Sequence, residues 1–447
     1  MFSGGRTLEA IEEICDPGGD LDVLEGVDSL LEKSLLRQEE EIAGEPRFVM
    51  LETVHEFARE KLQESAEAKV IRGAHTQYFL ALAKDAEPEL KGPEQLEWLE
   101  RMEAEHDNLR AALGWALESK EGELALRLAG ALWWFWFVRG HYGEGRRWLE
   151  QTLVSDRGAV SVRAKALVGA GRLAGEQGEI ERATAMLEEG VHLFRDSEDA
   201  EGLADALISL SYAMYYGGKF DEVKAISEES LGVCRDAGNR WGVAEALNNL
   251  GIVALLQERD LDRSEALFKD GLEVRREVQD KRGIAMSLLN LGIVARKKGD
   301  LDRAVAHLQE TLILARELAD KSLIANISVE LGRTELGRGD PERAAVYLRE
   351  GLSVWAELGD EYGIFEGLWG LAQVAKASEE ARRAGRLFGA ADRLRESSEI
   401  HVMEIEFPEF AEHLEAARSG FEAAGWTQVY EEGRTMTLEE AVSYALA

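Results

Sequence analysis

The chain has 447 residues, with 52 Lys+Arg against 86 Asp+Glu for a formal net charge of −34, and 45% of its residues are hydrophobic. The surplus of acid argues against a nucleic-acid-binding surface and against adsorption to an anionic membrane, because both rest on clustered Lys and Arg. The apolar share supplies ample core material and excludes a disordered chain.

Residues 1–70 open with FSGGRTLEAIEEIC, a helix after a glycine turn, and continue with VLEGVDSLLEKSLLRQ, a second helix. EEEIAGEPRF reads as a polar turn, and RFVMLETVHEFAREKLQES passes from a short strand into a helix with apolar positions Val54, Phe57, Ala58 and Leu62. Two helices, a hairpin and a helix predict a small winged-helix-like unit. It holds 7 Lys+Arg and 18 Asp+Glu, a net of −11, which repels phosphate. A helical connector is expected over 71–121.

From residue 122 to 397 the sequence repeats. GLADALISLS from Gly202, GVAEALNNLG from Gly242, GIAMSLLNLG from Gly283 and GIFEGLWGLA from Gly363 align, with weaker copies from Val162 and Leu323. The starts 162, 202, 242, 283, 323 and 363 are separated by 40, 40, 41, 40 and 40 residues. So regular a period predicts about seven stacked helical hairpins, an all-α solenoid. In each unit a glycine of the first helix is followed by a small residue and a leucine in the second: Gly292 by Ala304 and Leu308, Gly332 by Ala344 and Leu348. Gly299-Asp300 and Gly339-Asp340-Pro341 mark the turns, with glycine left-handed, Asp capping and Pro341 at the first helical position. Arg259 replaces the turn glycine before Asp260, where the period is one residue longer. Residues 398–447 are expected to form a helical cap.

These residues resemble the tetratricopeptide repeat (TPR), in a variant of roughly 40 residues with lengthened helices. The ordered motifs LEGVDSLLEKSLL, RFVMLETVHEFAREKL, EHDNLRAALGWAL and RGHYGEGRRWLE, with EEGRTMTLEEAVSYAL at the end, resemble the C-terminal half of bacterial STAND-type predicted ATPases. LuxR-type transcriptional regulators and maltose-activator-like TPR sensors belong to the same broad group. Glu105, Asn108, Leu109 and Arg110 match the family's E-x-x-N-L-R helix, whereas His55 stands where relatives commonly carry Arg. The resemblance implies a repeat region in which effector binding sets or relieves restraint on an ATPase and its output domain. No GxxxxGK[ST] phosphate cradle occurs in the sequence, so the expectation is the sensing half alone, acting on an ATPase-bearing partner in trans. The alternative is a truncated gene model of a full nucleotide-dependent transcriptional regulator.

The candidate chemistry is recognition. Trp133, Trp134, Phe135, Trp136 and Phe137 point all round one helix, which favours core packing over a ligand pocket. Tyr212, Tyr215, Glu245, Asn248, Asn249, Asn290, Arg296, Asn326 and Arg333 lie on first helices, which in this repeat type line a concave groove. Asn can pair with both donor and acceptor of an extended peptide, and Arg can clamp a carboxylate or phosphate. LNNLG also resembles the cargo-binding repeats of kinesin light chain. The competing reading is that these Asn residues bond neighbouring helices.

No catalytic constellation is present: the histidines show no HExxH spacing, no GxSxG elbow occurs, and scattered carboxylates carry no information. Asp16–Asp22 lacks the twelve-position calcium loop. Cys15 and Cys234 are far apart, so neither a disulfide framework nor a Cys-ligated zinc is expected. No signal-peptide pattern opens the sequence and the longest apolar run, Ala131 to Val138, is too short to cross a bilayer, so the expected compartment is the cytoplasm. The partner expected is a protein, a peptide or a small effector, with no cofactor, no direct nucleic acid and no membrane.

Overall fold

The computed structural model describes all residues except 17, 18, 20, 43, 44, 155–157, 398–409 and 420–422. Among the described residues there are 23 helices and one two-stranded hairpin. They group into two compact units: Met1–Phe135 with Arg147–Ala166, and Trp136–Arg146 with Leu167–Ala447. No helix of the described residues is long and apolar enough to cross a membrane.

In the first unit, α1 (Leu8–Cys15) and α2 (Val23–Glu32) precede strands β1 (Leu36–Ile42) and β2 (Glu45–Met50). Then come α3 (Glu52–Glu64), α4 (Ala68–Glu89), α5 (Gln95–Ala104) and α6 (His106–Glu118). The second helix is shorter than its sequence pattern suggests. It stops at Lys33, Ser34 takes a left-handed φ of 54°, and Leu36 starts a strand opposite Met50. Packing decides this, because Leu36 and Phe48 join Val27 in the small core that the hairpin and α2 share. Of the Asp16–Asp22 segment, positions 17, 18 and 20 lie outside the described residues; Asp16 accepts the Leu21 amide (2.8 Å) and Asp22 caps α2.

The E-x-x-N-L-R helix has a mechanical role here. Glu105 pairs with Arg47 of β2, both almost fully buried. Arg47 also donates to the carbonyls of Gly5 (2.8 Å) and Ala104 (3.0 Å). Asn108 donates to the Gly5 carbonyl (2.9 Å) and accepts from the Ser3 amide (2.8 Å). One buried ion pair thus ties the hairpin, the N-terminal segment and α6 together.

Helices α7 (Gly122–Arg139), α8 (Tyr142–Leu153) and α9 (Val160–Glu176) each contribute residues to both units. The second unit continues with α10 (Ile180–Asp196), α11 (Ala200–Tyr216), α12 (Phe220–Ala237), α13 (Arg240–Leu256) and α14 (Leu261–Glu277). It goes on through α15 (Lys281–Lys297), α16 (Leu301–Glu317), α17 (Lys321–Gly337), α18 (Pro341–Leu358), α19 (Glu361–Ala377) and α20 (Ala381–Ser397). From α7 to α20 the helices follow as seven consecutive pairs, so the chain is an all-α, TPR-type α-solenoid with a small winged-helix-like N-terminal unit. The members of a pair differ in burial. α13 buries 14 of its 17 residues and α14 only six of 17, so the first helix is enclosed and the second shows water one face.

Close approach within a pair sets the sequence period. A methyl on Gly171 would lie 2.7 Å from Leu187 Cγ, on Gly292 2.9 Å from Leu308 Cγ, and on Gly332 2.5 Å from Leu348 Cγ. Each leucine stands sixteen positions after its glycine. Only a residue without Cβ lets the second helix lie that close. Caps repeat with the same period. Asp199, Asn239, Asp280, Asp320 and Asp360 cap the first helices, and Asp260, Asp300 and Asp340 cap the second. Arg259 takes the left-handed φ of 55° that Gly299 and Gly339 hold at the equivalent turns.

The final helices are α21 (Phe410–Arg418), α22 (Ala423–Arg434) and α23 (Leu438–Leu446), so the expected cap over 398–447 is helical where described, its first twelve residues lying outside. α22 crosses α20 at backbone contact, because a methyl on Gly433 would strike the Arg386 carbonyl and one on Gly389 the Tyr430 carbonyl.

Two substitutions test these constraints by denaturant unfolding. Arg259 is exposed and makes no side-chain bond among the described residues, so Arg259→Gly relieves left-handed strain and stabilises the protein by about 1 kcal/mol. Gly332→Ala forces the α17–α18 pair apart and costs about 1–3 kcal/mol.

Candidate functional site

The polar residues that the repeat pattern places on first helices are largely buried, and most meet one another. Glu245 on α13 forms an ion pair with Arg275 of α14 and accepts the Tyr212 hydroxyl of α11 at 3.2 Å. Burial alone would raise the Glu245 pKa; Arg275 outweighs it and holds the carboxyl below its ordinary value. Arg275 is 1% exposed and donates also to Ser287 of α15 at 2.7 Å. Asn290 of α15 donates to Asn248 at 2.7 Å, Asn248 donates to the Tyr212 hydroxyl at 3.4 Å, and Asn249 donates to Ser211. All three asparagines therefore join adjacent first helices.

A second cluster follows one hairpin on. Arg296 of α15 donates from Nε to Glu330 of α17 at 2.9 Å, and Arg333 contacts Glu330 at 2.7 Å and Glu366 of α19 at 2.8 Å. Arg333 also lies over the Trp369 ring at 5.2 Å. Burial works against the Glu330 charge, yet Arg296 and Arg333 bring its pKa down to about 2. Tyr215 is half-buried against Tyr216 and Phe220, outside both clusters. Asn326 is half-buried and makes no side-chain hydrogen bond to another described residue.

The turn between α7 and α8 joins this interior. Phe137 lies under two guanidinium groups, Arg172 of α9 and Arg282 of α15, each 4.8 Å from the ring centroid. Arg172 is also 4.1 Å over the Tyr212 ring and pairs with Glu176 at 2.9 Å. Arg282 donates to Asp320, the α17 cap, at 2.7 Å, and Arg139 donates to the Leu318 carbonyl at 3.2 Å. Tyr142 is buried beside the carboxyls of Glu176, Asp320 and Asp360. The Tyr216 and Tyr362 rings meet at 6.0 Å, linking α11 to α19. Between them these side chains fill the interior with paired charge and stacked rings. The run Trp133 to Phe137 is buried at every position.

The sequence reading missed Arg172, Arg275, Arg282, Asp320, Glu330 and Glu366. A signal was present for two of them: Glu330 in ISVELG and Glu366 in GIFEGLWGLA are lone charges within otherwise apolar or small-residue stretches. A charge in that setting needs a buried partner.

Comparison with known proteins places these features. Residues 283–357 match the tetratricopeptide repeat model, residues 1–63 the winged helix-turn-helix domain model, and residues 161–214 the model described as anaphase-promoting complex subunit 5. Curated proteins of Mycobacterium tuberculosis and Mycobacterium bovis, provisionally named HTH-type transcriptional regulators, are 37% identical over 174 residues, 37% of this chain and 19% of theirs. The match spans about a fifth of those relatives' length. The crystal structure of a STAND protein with a tetratricopeptide repeat sensor from Pyrococcus horikoshii aligns over 99% of this chain and 62% of its own, with a TM-score of 0.53 and 15% identity. A Rap protein complexed with Competence and Sporulation Factor aligns over 83% and 99%, with a TM-score of 0.58 and 12% identity.

Burial pushes Asp360 up to about 7, with Glu176 and Glu361 adding to the rise. A carboxyl whose pKa is raised on folding favours the native state while protonated, and that contribution is lost as pH climbs from about 4 to 7. Asp360→Asn keeps an N-cap and removes the charge. It should stabilise the protein by at least about 1.4 kcal/mol more at pH 8 than at pH 5, read from urea midpoints at the two values.

By matched segments, this chain joins a winged helix-turn-helix unit to tetratricopeptide repeats, and its fold is similar to that of a STAND protein with a tetratricopeptide repeat sensor.

Proposed function

We propose that the chain is a non-catalytic regulatory module whose repeats take a protein segment, a peptide or a small effector against their first helices. It transmits that event to an ATPase-bearing partner, in trans or within a longer regulator, in the cytoplasm. The observation that carries this reading is the paired charge inside the second unit. Buried ion pairs are a weak source of net stability but are sensitive to the loss of either member, which makes them suited to an interior that must rearrange when a ligand competes for its groups. Support comes from a repeat sensor named in the Pyrococcus protein and a bound factor named in the Rap complex.

Tyr215 and Asn326 are the first points of contact in this account, because both are half-buried and neither lies in the two charge clusters. Glu245, Asn248, Asn249, Asn290, Arg296 and Arg333 become available as the interior opens. Selection from a random peptide display library, followed by titration of the purified peptide, tests the reading. A saturable complex weakened about tenfold by Asn326→Ala, near 1.4 kcal/mol, is the expected result. Peptides that bind equally well to an array carrying Asn326→Ala and Tyr215→Ala contradict it.

A direct nucleic-acid role has the winged-helix match over residues 1–63 in its favour. Against it, the exposed face of α2 presents Leu24, Glu25 and Asp28 without a cation. Fluorescence anisotropy with mixed-sequence duplex DNA at physiological salt should give no saturable signal at micromolar protein. A saturable, salt-sensitive rise supports the DNA-binding reading instead.

A further inference from the structure

The first unit has a half-open cavity of about 220 Å³ walled by Ile11, Val27, Leu30, Leu36, Met50 and Leu62. One of its lining groups does not fit an apolar core. Arg6 is 6% exposed, and its Nη2 is buried without a hydrogen-bond partner. The side chain forms no ion pair among the described residues; its one aromatic contact is Phe2, 5.4 Å from the guanidinium carbon. Its backbone is fixed by a two-way bridge to Phe48, with N–O distances of 3.1 and 2.8 Å, so the side chain cannot move out by a shift of the segment.

Other basic groups also line the cavity: Arg59 on the exposed side of α3, His55, whose Nε2 lies 2.7 Å from the Phe2 carbonyl oxygen, and the amino group of Met1. No carboxylate is among the lining residues, although residues 1–70 carry 18 acidic side chains against 7 basic ones. A buried arginine is expected to have a counter-charge, because an uncompensated one is strongly destabilising. Here burial lowers the Arg6 pKa, the direction expected for a cation left without a partner. The cavity therefore combines apolar walls with a fixed cation and lacks the anion.

We propose that this cavity is a binding site for a small carboxylate with an apolar tail, whose carboxylate pairs with Arg6 while its tail packs against Val27, Leu30 and Leu36. At about 30 Å³ for a water-sized group, the space holds a chain of about seven such groups. That is below the size of an ordinary drug-sized pocket and suits a medium-chain or compact aromatic acid. Arg59 stands at the opening and draws the anion in. A guanidinium is matched to a carboxylate by its paired donors, which an alcohol of the same length cannot satisfy.

Sodium octanoate serves as the probe, with 1-octanol as its uncharged counterpart, in calorimetric titrations of the full chain near neutral pH. Saturable 1:1 binding of octanoate, at least tenfold tighter than octanol, is expected. Arg6→Met should abolish that preference while leaving the unfolding temperature equal or higher, because it removes an unpaired buried charge. A purely structural arginine would lower it. Should Arg6→Met not fold, Leu30→Trp, which fills the cavity, decides the matter: the folded variant must lose octanoate binding. Absence of saturable octanoate binding, equal affinity for octanol, or binding that persists in Leu30→Trp overturns the proposal.

Discussion

Several charges buried inside the repeats find their opposites on a neighbouring helix, and the pairs that run between hairpins fix how successive hairpins stack. Arg296 of α15 meets Glu330 of α17, Arg333 of α17 meets Glu366 of α19, and Arg282 of α15 meets Asp320 at the start of α17, while Arg275 meets Glu245 within the α13–α14 pair. A slip of one residue between hairpins would leave a guanidinium or carboxylate alone in a low-dielectric interior, at a cost of several kcal/mol. Apolar packing brings the helices together; the ion pairs select one alignment among those that packing tolerates.

The same residues make the interior responsive. Glu330 is held ionised to about pH 2 by two arginines, while burial holds Asp360 protonated to about pH 7. Two carboxyls in one interior therefore answer to different influences, the first to its ion partners and the second to desolvation. A ligand carrying its own charge changes both balances. The α7–α8 turn, with Phe137 beneath two arginines and Tyr142 among three carboxyls, is the element most exposed to such a change. These contacts are what the proposed regulation by competition would act on.

Much of the fold was legible in the sequence. The 40-residue period, the glycine facing a leucine sixteen positions later, and the caps at Asp300 and Asp340 each stand in the structure as the residues suggest. The end of α2 was not legible, since KSLLRQ has helical spacing, yet Lys33–Leu35 turn and Leu36 begins β1, because the core shared by Val27, Leu36 and Phe48 outweighs local preference. The inner-helix residues were legible as a set but not in their partners. Asn248, Asn249 and Asn290 bond across to neighbouring helices, an outcome that depends on angles between hairpins and leaves no mark in a linear pattern. Arg6 gave no signal at all, because a single arginine after a glycine turn looks solvent-facing until the cavity beside it is seen.

Without a ligand, buried polar contacts lock the α7–α8 turn to the first helices. Hydrogen–deuterium exchange of the full chain measures this directly. The amides of Gly140 and His141, bonded to the Phe137 and Trp136 carbonyls, should exchange as slowly as the centres of α13 and α15. Exchange of those amides at the rate of exposed loops, with α13 and α15 still protected, would contradict it.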